Sequence, residues 1–209
     1  MPIKWEIEPQ LLASCAWKHA AGIDEAGRGP WAGPVVAAAV IILDLHKVKS
    51  NIPELRDSKK LSPKQRAICH KKITSQSCIV WAIGQASVEE IDRLNILNAT
   101  KLAMSRAIES LPLKPDGFWI DGSPICGFLH EARYFVRGDE LLPSIAAASV
   151  LAKETRDSIM RYIDEQFPKY NFAQHKGYGT TAHAHALKMW GPCPYHRRSF
   201  APVRSARGS

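Results

Sequence analysis

Gly22-Ile23-Asp24-Glu25-Ala26-Gly27-Arg28-Gly29-Pro30 sets two adjacent carboxylates between a short apolar run and a glycine-rich turn. Residues His19 to Asp24 read as a short strand ended by Gly27-Arg28-Gly29-Pro30. Val35 to Leu43, nine uninterrupted apolar residues, then read as a fully buried strand. Two neighbouring strands joined by a loop are expected, with the acids at the end of the first. Backbone can come close to a ligand there, and ligands of α/β sheets collect at the carboxyl ends of strands.

Outward from this stretch, Cys78 to Ile83 reads as a third strand, preceded by a helix whose Ser62-Pro63-Lys64 start places proline in the first turn. Val88, Ile91, Leu94, Leu97, Leu102 and Ile108 recur with helical phase, and Ser87 with Glu90 has the spacing of a capping box, so one long helix is expected. Phe118-Trp119-Ile120-Asp121 and Tyr134-Phe135-Val136 read as strands four and five, ending in Asp121-Gly122 and Arg137-Gly138-Asp139. A second long helix runs from about Ser144 to Gln166, and its Ala146-Ala147-Ala148-Ser149 start permits close backbone approach. This order predicts an α/β fold: a mixed five-stranded central sheet flanked by helices.

The 209 residues, 45% apolar and 23% charged, suit one globular domain. The nine-residue apolar run is far short of the ~20 that cross a bilayer, and the mixed-charge start, Met1 to Glu8, does not resemble a secretory signal. Five widely spaced cysteines (Cys15, Cys69, Cys78, Cys126, Cys193) form no CxxC pair and read as reduced thiols of a cytoplasmic protein. An excess of 28 Lys and Arg over 20 Asp and Glu, a net charge of +8, favours polyanionic partners, nucleic acid first. A basic nucleic-acid-binding protein without chemistry would share that charge, but it gives no reason for acids at three strand ends.

Those acids are Asp24-Glu25, Asp121 and Asp139. If the first and fourth strands are parallel neighbours, with axes about 4.8 Å apart, Asp24 and Asp121 stand side by side. Carboxylates that close repel, and a hard divalent cation on oxygen ligands, Mg²⁺ or Mn²⁺, is the simplest resolution. Asp24 and Glu25 face opposite sides of a regular strand, so both reach one site only if the strand ends or twists there.

The opening stretch resembles the first motif of ribonuclease HII. Asp57-Ser58-Lys59-Lys60-Leu61-Ser62, Ala146 to Lys153 with Thr155-Arg156-Asp157, His175-Lys176-Gly177-Tyr178-Gly179-Thr180, and Gly191 to Phe200 resemble its later motifs in the same order. The resemblance implies a ribonuclease H-like fold over residues 19–203, with 1–18 as an N-terminal extension; the residues of the 204–209 tail themselves read as disordered. It implies an endonuclease that cuts the RNA strand of RNA–DNA hybrids, and cuts 5′ to single ribonucleotides in duplex DNA, leaving 3′-hydroxyl and 5′-phosphate ends. Related type III enzymes carry an extra N-terminal domain. With 23 residues before Asp24, type II is the expectation.

Asp24 and Asp121 are then the central ligands of two divalent ions, completed by Glu25 and Asp139. Two cations would activate the attacking water and stabilise the leaving 3′-oxygen. Substrate recognition falls to the Gly27-Arg28-Gly29 turn, which lets backbone approach the 2′-hydroxyl, and to Tyr178. Phosphate contacts fall to Lys59, Lys60, Lys153 and Lys176, with Arg197 and Arg198 as further candidates. His175, His183 and His185 match no closed zinc pattern and read as surface or core histidines. A monomer is expected. Another nuclease of this fold, such as a junction resolvase, would share the metal site but not the 2′-hydroxyl reader.

Overall fold

The two strands flanking the glycine-rich turn lie at the centre of the sheet in the computed structural model, which describes residues 3–124, 128 and 131–206. The strands are β1 (Ala20–Ala26), β2 (Val35–Ile42), β3 (Ile79–Ala86), β4 (Gly117–Asp121) and β5 (Ala132–Phe135). Their order is β3-β2-β1-β4-β5, with β3, β2 and β1 antiparallel and β1, β4 and β5 parallel. The mixed sheet is as expected, and β1 and β4 are parallel neighbours.

Nine helices surround it among the described residues: α1 (Ile7–Cys15), α2 (Leu45–Asn51), α3 (Pro63–Ser75), α4 (Val88–Leu94), α5 (Ile96–Glu109), α6 (Pro143–Gln166), α7 (Phe172–His175), α8 (Thr181–Trp190) and α9 (Ala201–Ser205). Strand alternation decides which side chains meet which helix. Ala21, Ile23, Val35, Ala37, Ala39 and Ile41 pack with Ala99, Ala103 and Met104 of α5. On the other face, Ala38 and Val40 meet Ala146 to Ala152 of α6, with α2 and α3 closing the outer side. Small residues let α6 come close: a Cβ on Gly22 would stand 2.4 Å from the backbone nitrogen of Ile145. That contact seats the start of α6 against the strand that carries Asp24.

The helix expected to run unbroken from Val88 to Ile108 is two. Asn95 adopts φ +67° and its side chain caps α5, accepting from Asn98 N at 3.1 Å. Apolar periodicity continues across such a break, because both helices turn their apolar faces to the same sheet. The Ser87–Glu90 capping box is present on α4, and Ser62 with Gln65 forms another on α3.

The chain stays helical past Val203, where a disordered tail is expected from residue 204. Residues 204 and 205 belong to α9, held down by the fully buried Val203, while 207–209 and Cys126 lie outside the described residues. Glu8 of α1 is buried and accepts the Ser144 N–H at 3.0 Å, so the N-terminal helix caps α6 from outside. Burial pushes the Glu8 carboxyl up to about 7.

Candidate active site

Ile23 pairs with Ile120 in the parallel β1–β4 ladder, which sets Asp24 level with Asp121 at the ends of the two central strands. Asp139 arrives from the single 3₁₀ turn Gly138–Glu140 that follows β5. Oxygens of Asp24, Asp121 and Asp139 all lie within 4.8 Å of one another. Backbone donors hold two of them in place: Gly138 N–H donates to Asp121 Oδ1 at 2.6 Å and Glu25 N–H to Asp24 Oδ1 at 2.7 Å. Asp24 also bonds Ser149 of α6, whose hydroxyl lies 2.8 Å from that of Ser58.

The cluster is crowded with negative charge. Burial, then the neighbouring Glu25 and Asp121, pushes the Asp24 carboxyl well above the usual carboxylate range. Burial, then Asp121 and Asp57, pushes Asp139 up to about 6. The facing cation is Lys59, with Nζ 3.6 Å from Asp139 Oδ2. Burial opposes its charge, but the surrounding acids, Asp139 and Asp24 first, hold the ammonium above its ordinary range. One exposed lysine cannot balance three converging acids. The donor set is all carboxylate oxygen and partly open, so it fits a hard divalent cation such as Mg²⁺ or Mn²⁺.

Glu25 stands apart from the converging three. As the next residue along β1 it turns toward the other face, and its Oε1 accepts from Arg28 Nη1 at 3.2 Å. It remains near enough to raise Asp24. Its own pKa is raised by burial against the opposing pull of Arg28. Asp57 is the acid that the strand-end reading missed. It is buried, hydrogen-bonds Asp139, and accepts the Lys59 N–H at 2.8 Å. It caps the 3₁₀ turn Ser58–Lys60 rather than standing beside a strand-end glycine, and its place in the Asp57-Ser58-Lys59-Lys60 motif was the available signal.

The glycine-rich turn and Tyr178 face each other. A Cβ on Gly29 would stand 3.8 Å from Tyr178 Cε1, and the tyrosine is 44% exposed. The glycines flanking Tyr178 serve close packing. A Cβ on Gly177 would lie 2.6 Å from the Ala32 carbonyl oxygen, and one on Gly179 2.1 Å from the Trp31 ring. The loop is thereby pressed against the segment that follows the turn.

The expected basic residues divide. Lys59 faces the acids, and Lys60 lies beside them, paired with Glu140 at 3.0 Å. Lys153 and Lys176 instead line a separate open recess of about 440 Å³ with Arg66, Asp157 and Arg161. There Lys153 pairs with Asp157 at 2.7 Å and Lys176 donates to the Ala173 carbonyl. Arg198 is exposed, but Arg197 is wholly buried and cannot reach a phosphate. Its guanidinium is taken up by backbone carbonyls because the polypeptide folds over it.

His183 and His175 are core histidines and His185 is exposed. His183 joins His196 in a chain whose tautomers follow from its ends. Cys193 N–H donates to His196 Nδ1 at 3.0 Å, leaving the proton on Nε2 to reach His183 Nε2 at 3.0 Å. His183 Nδ1–H then donates to the Tyr178 carbonyl at 2.9 Å. Both rings are therefore neutral.

A sequence model of the family described as Ribonuclease HII matches residues 21–203. Ribonuclease HII of Thiobacillus denitrificans is 51% identical over 183 residues, covering 88% of this chain and 87% of that protein. Among solved structures, ribonuclease H2 of Pyrococcus horikoshii superposes with a TM-score of 0.71 at 24% identity, covering 91% of this chain and 100% of that one. The ribonuclease HII of Archaeoglobus fulgidus, solved in complex with PCNA, gives 0.74 at 25% identity, covering 91% and 97%. The matched span takes in every acid of the cluster, both faces of the turn–tyrosine pair and the lysine opposite them, and on that breadth of similarity the chain belongs to the ribonuclease HII family.

Proposed function

We propose that the chain hydrolyses the RNA strand of RNA–DNA hybrids and cuts 5′ to single ribonucleotides in duplex DNA, leaving 3′-hydroxyl and 5′-phosphate ends. The observation that carries this reading is the convergence of Asp24, Asp121 and Asp139 on one point beside a turn that faces an exposed tyrosine. Asp24 and Asp121 would hold two Mg²⁺ or Mn²⁺ ions as the central ligands, and Glu25 and Asp139 would complete the set. Bound there, the ions supply a water of lowered pKa and charge neutralisation at the leaving oxygen.

The chain's own groups do the rest. The Gly138 and Glu25 amides fix two of the carboxylates before substrate arrives, so no reorganisation is left for the reaction. Lys59, exposed beside the carboxylates, is placed to meet the scissile phosphate, with Lys60 beside it. Gly27, Arg28 and Gly29 bring backbone to the 2′-hydroxyl, the group that distinguishes RNA from DNA, and Tyr178 packs on the neighbouring sugar or base. Lys153 and Lys176 contact phosphates further along the duplex. This activity suits a monomeric cytoplasmic enzyme of ribonucleotide excision and replication, built as a catalytic domain of residues 19–203.

The test is a DNA duplex carrying one ribonucleotide, incubated with Mg²⁺ or with EDTA. Cleavage 5′ to the ribonucleotide with Mg²⁺ alone is the expected result. Binding without cleavage would favour a non-catalytic nucleic-acid-binding protein, and equal cutting of all-DNA branched substrates would favour a junction resolvase.

A further inference from the structure

Arg156 and Arg197 are two of the largest fully buried side chains, and neither guanidinium donates to a carboxylate. Arg197 donates from Nε to Gly33 O at 2.9 Å, from Nη1 to Arg28 O at 3.0 Å, and from Nη2 to Gly27 O at 2.5 Å and Pro34 O at 3.2 Å. Arg156 donates to Pro34 O, Ala32 O and Lys176 O, each at 3.0 Å. The nearby acids are engaged elsewhere. Asp157 takes Lys153 and Arg66, and Asp92 takes the Arg198 and Ser199 amides. Burial pulls Arg156 down to about 10 and Arg197 to about 9, so both remain cationic at neutral pH.

Two unpaired buried cations side by side are a poor way to stabilise a fold, since apolar side chains of like volume do so at less cost. Their placement gives another account. In a trans peptide the carbonyl and the following N–H point in opposite directions, and no peptide bond among the described residues is cis. Arg197 draws the Gly27 and Arg28 carbonyls inward, so the amides of Arg28 and Gly29 are turned outward. Arg156 bridges the same segment to the Lys176 carbonyl, two residues before Tyr178, and sets the gap between turn and tyrosine. The Pro34 carbonyl accepts from both guanidiniums and locks the two arrangements together.

The geometry points to Arg156 and Arg197 as positioning residues for ribose recognition: one aims the outward amides of the turn, and the other fixes their distance from Tyr178. This role rests on the proposed reading that turn and tyrosine face the substrate. The positive charge behind each carbonyl also polarises its peptide, strengthening the outward N–H as a donor to a sugar hydroxyl. Lysine in either place would keep the charge but lose the planar fork that reaches several carbonyls at once.

The test compares binding of a duplex containing one ribonucleotide with binding of the all-DNA duplex, in Ca²⁺ to suppress cleavage, for wild type, R197K and R156K. Wild type should prefer the ribonucleotide duplex. Each variant should lose about tenfold or more of that preference, while affinity for the all-DNA duplex changes less than about twofold. A merely structural role would lower the melting temperature and the active fraction without moving this ratio. A wild type with no preference overturns the proposed site and this role with it. A wild-type preference retained by both folded variants overturns the positioning role alone. A second measurement needs no variant: in ¹⁵N-arginine spectra of wild type, the Nε–H signals of Arg156 and Arg197 should shift on adding the ribonucleotide duplex and not the all-DNA one. Equal response to both duplexes, or to neither, overturns the role however the variants fold.

Discussion

Gly27 lies directly against the Arg156 guanidinium: a Cβ built there would stand 2.1 Å from Nε, in a backbone with φ +99°. Gly29, two residues on, has no positive φ, and its nearest neighbour to a Cβ is Tyr178 at 3.8 Å. The two glycines of the turn are thus fixed by different needs. One admits the arginine beneath the turn and the other keeps open the face opposite the tyrosine.

Gly27→Ala should therefore be destabilised as well as impaired. A left-handed backbone forced on a residue with a Cβ costs about 1–3 kcal/mol, and displacing the arginine adds to it. A fall in melting temperature of several degrees is expected, on the order of 2–4 °C per kcal/mol for a chain of this size. Gly29→Ala should melt within about 1 °C of wild type, since ordinary contact at a permitted φ costs little. It should still lose activity on a single ribonucleotide. Equal stability loss in both variants would refute the division.

Asp24→Asn and Asp121→Asn should abolish cleavage while leaving the fold intact. Each removes one carboxylate proposed to hold a cation, and every ~1.4 kcal/mol lost from the transition state is tenfold in rate. Burial and its acidic neighbours disfavour the Asp24 carboxylate, so without added metal Asp24→Asn should melt at or above the wild-type temperature. Single-turnover rates near wild type in either variant would refute the assignment.

Cation binding should be linked to protons. Asp139 is raised to about 6 and burial with the neighbouring acids holds Asp24 well above the usual carboxylate range, so protons compete with a cation for both carboxylates as the pH falls. Affinity for Mg²⁺ or Mn²⁺ should climb with pH through this range and weaken below about pH 6. Titration calorimetry in buffers of different ionisation enthalpy measures the protons released. A pH-independent affinity would mean that the acids are already ionised.

Much of this site was legible in the sequence because β-strand chemistry is local. Asp24, Asp121 and Asp139 each follow an apolar run and lie within three positions of a glycine, and the parallel pairing of β1 with β4 brings Asp24 and Asp121 level. The roles of Asp57 and of the Arg197 carbonyl cluster were not legible from strand ends, since they depend on where a distant segment lands. Gly27 and Arg197 are bonded across 170 positions. The break at Asn95 was hidden for a related reason: an apolar stripe records which face is buried, not whether the backbone is continuous.

The His183–His196 pair should make the fold acid-labile. Burial lowers His183 to about 4 and His196 to about 3, below the ordinary value of about 6.5. The unfolded chain then binds more protons than the folded one as pH falls below about 6.5, so the stability these rings contribute is complete above that pH. It is lost progressively toward about pH 3–4, at up to about 1.4 kcal/mol per pH unit for each ring. Denaturant midpoints should drop between about pH 7 and pH 5 while imidazole NMR signals of the two rings stay neutral. A native titration of either ring near 6.5 would refute the buried tautomer chain.

Tyr178 should discriminate between substrates through its ring alone, because its backbone is held independently. Its N–H donates to the His175 carbonyl at 2.9 Å, and its own carbonyl accepts from Thr180 N at 2.8 Å and His183 Nδ1 at 2.9 Å. The Arg156 guanidinium lies 6.0 Å from the ring centroid, at the range limit of a cation–π contact. Tyr178→Ala thus removes an aromatic surface without releasing the loop, and its melting temperature should match wild type. A ring packed on a sugar or base contributes about 1–3 kcal/mol, so cleavage at a single ribonucleotide should fall roughly 5- to 150-fold. On a long RNA–DNA hybrid the loss should be smaller, because neighbouring 2′-hydroxyls offer the glycine turn other registers. Tyr178→Phe separates ring from hydroxyl: near-full activity means that packing dominates, and a large loss that a hydrogen bond does. Wild-type rates for Tyr178→Ala on both substrates would leave the choice of cleavage position to the turn and the carboxylates.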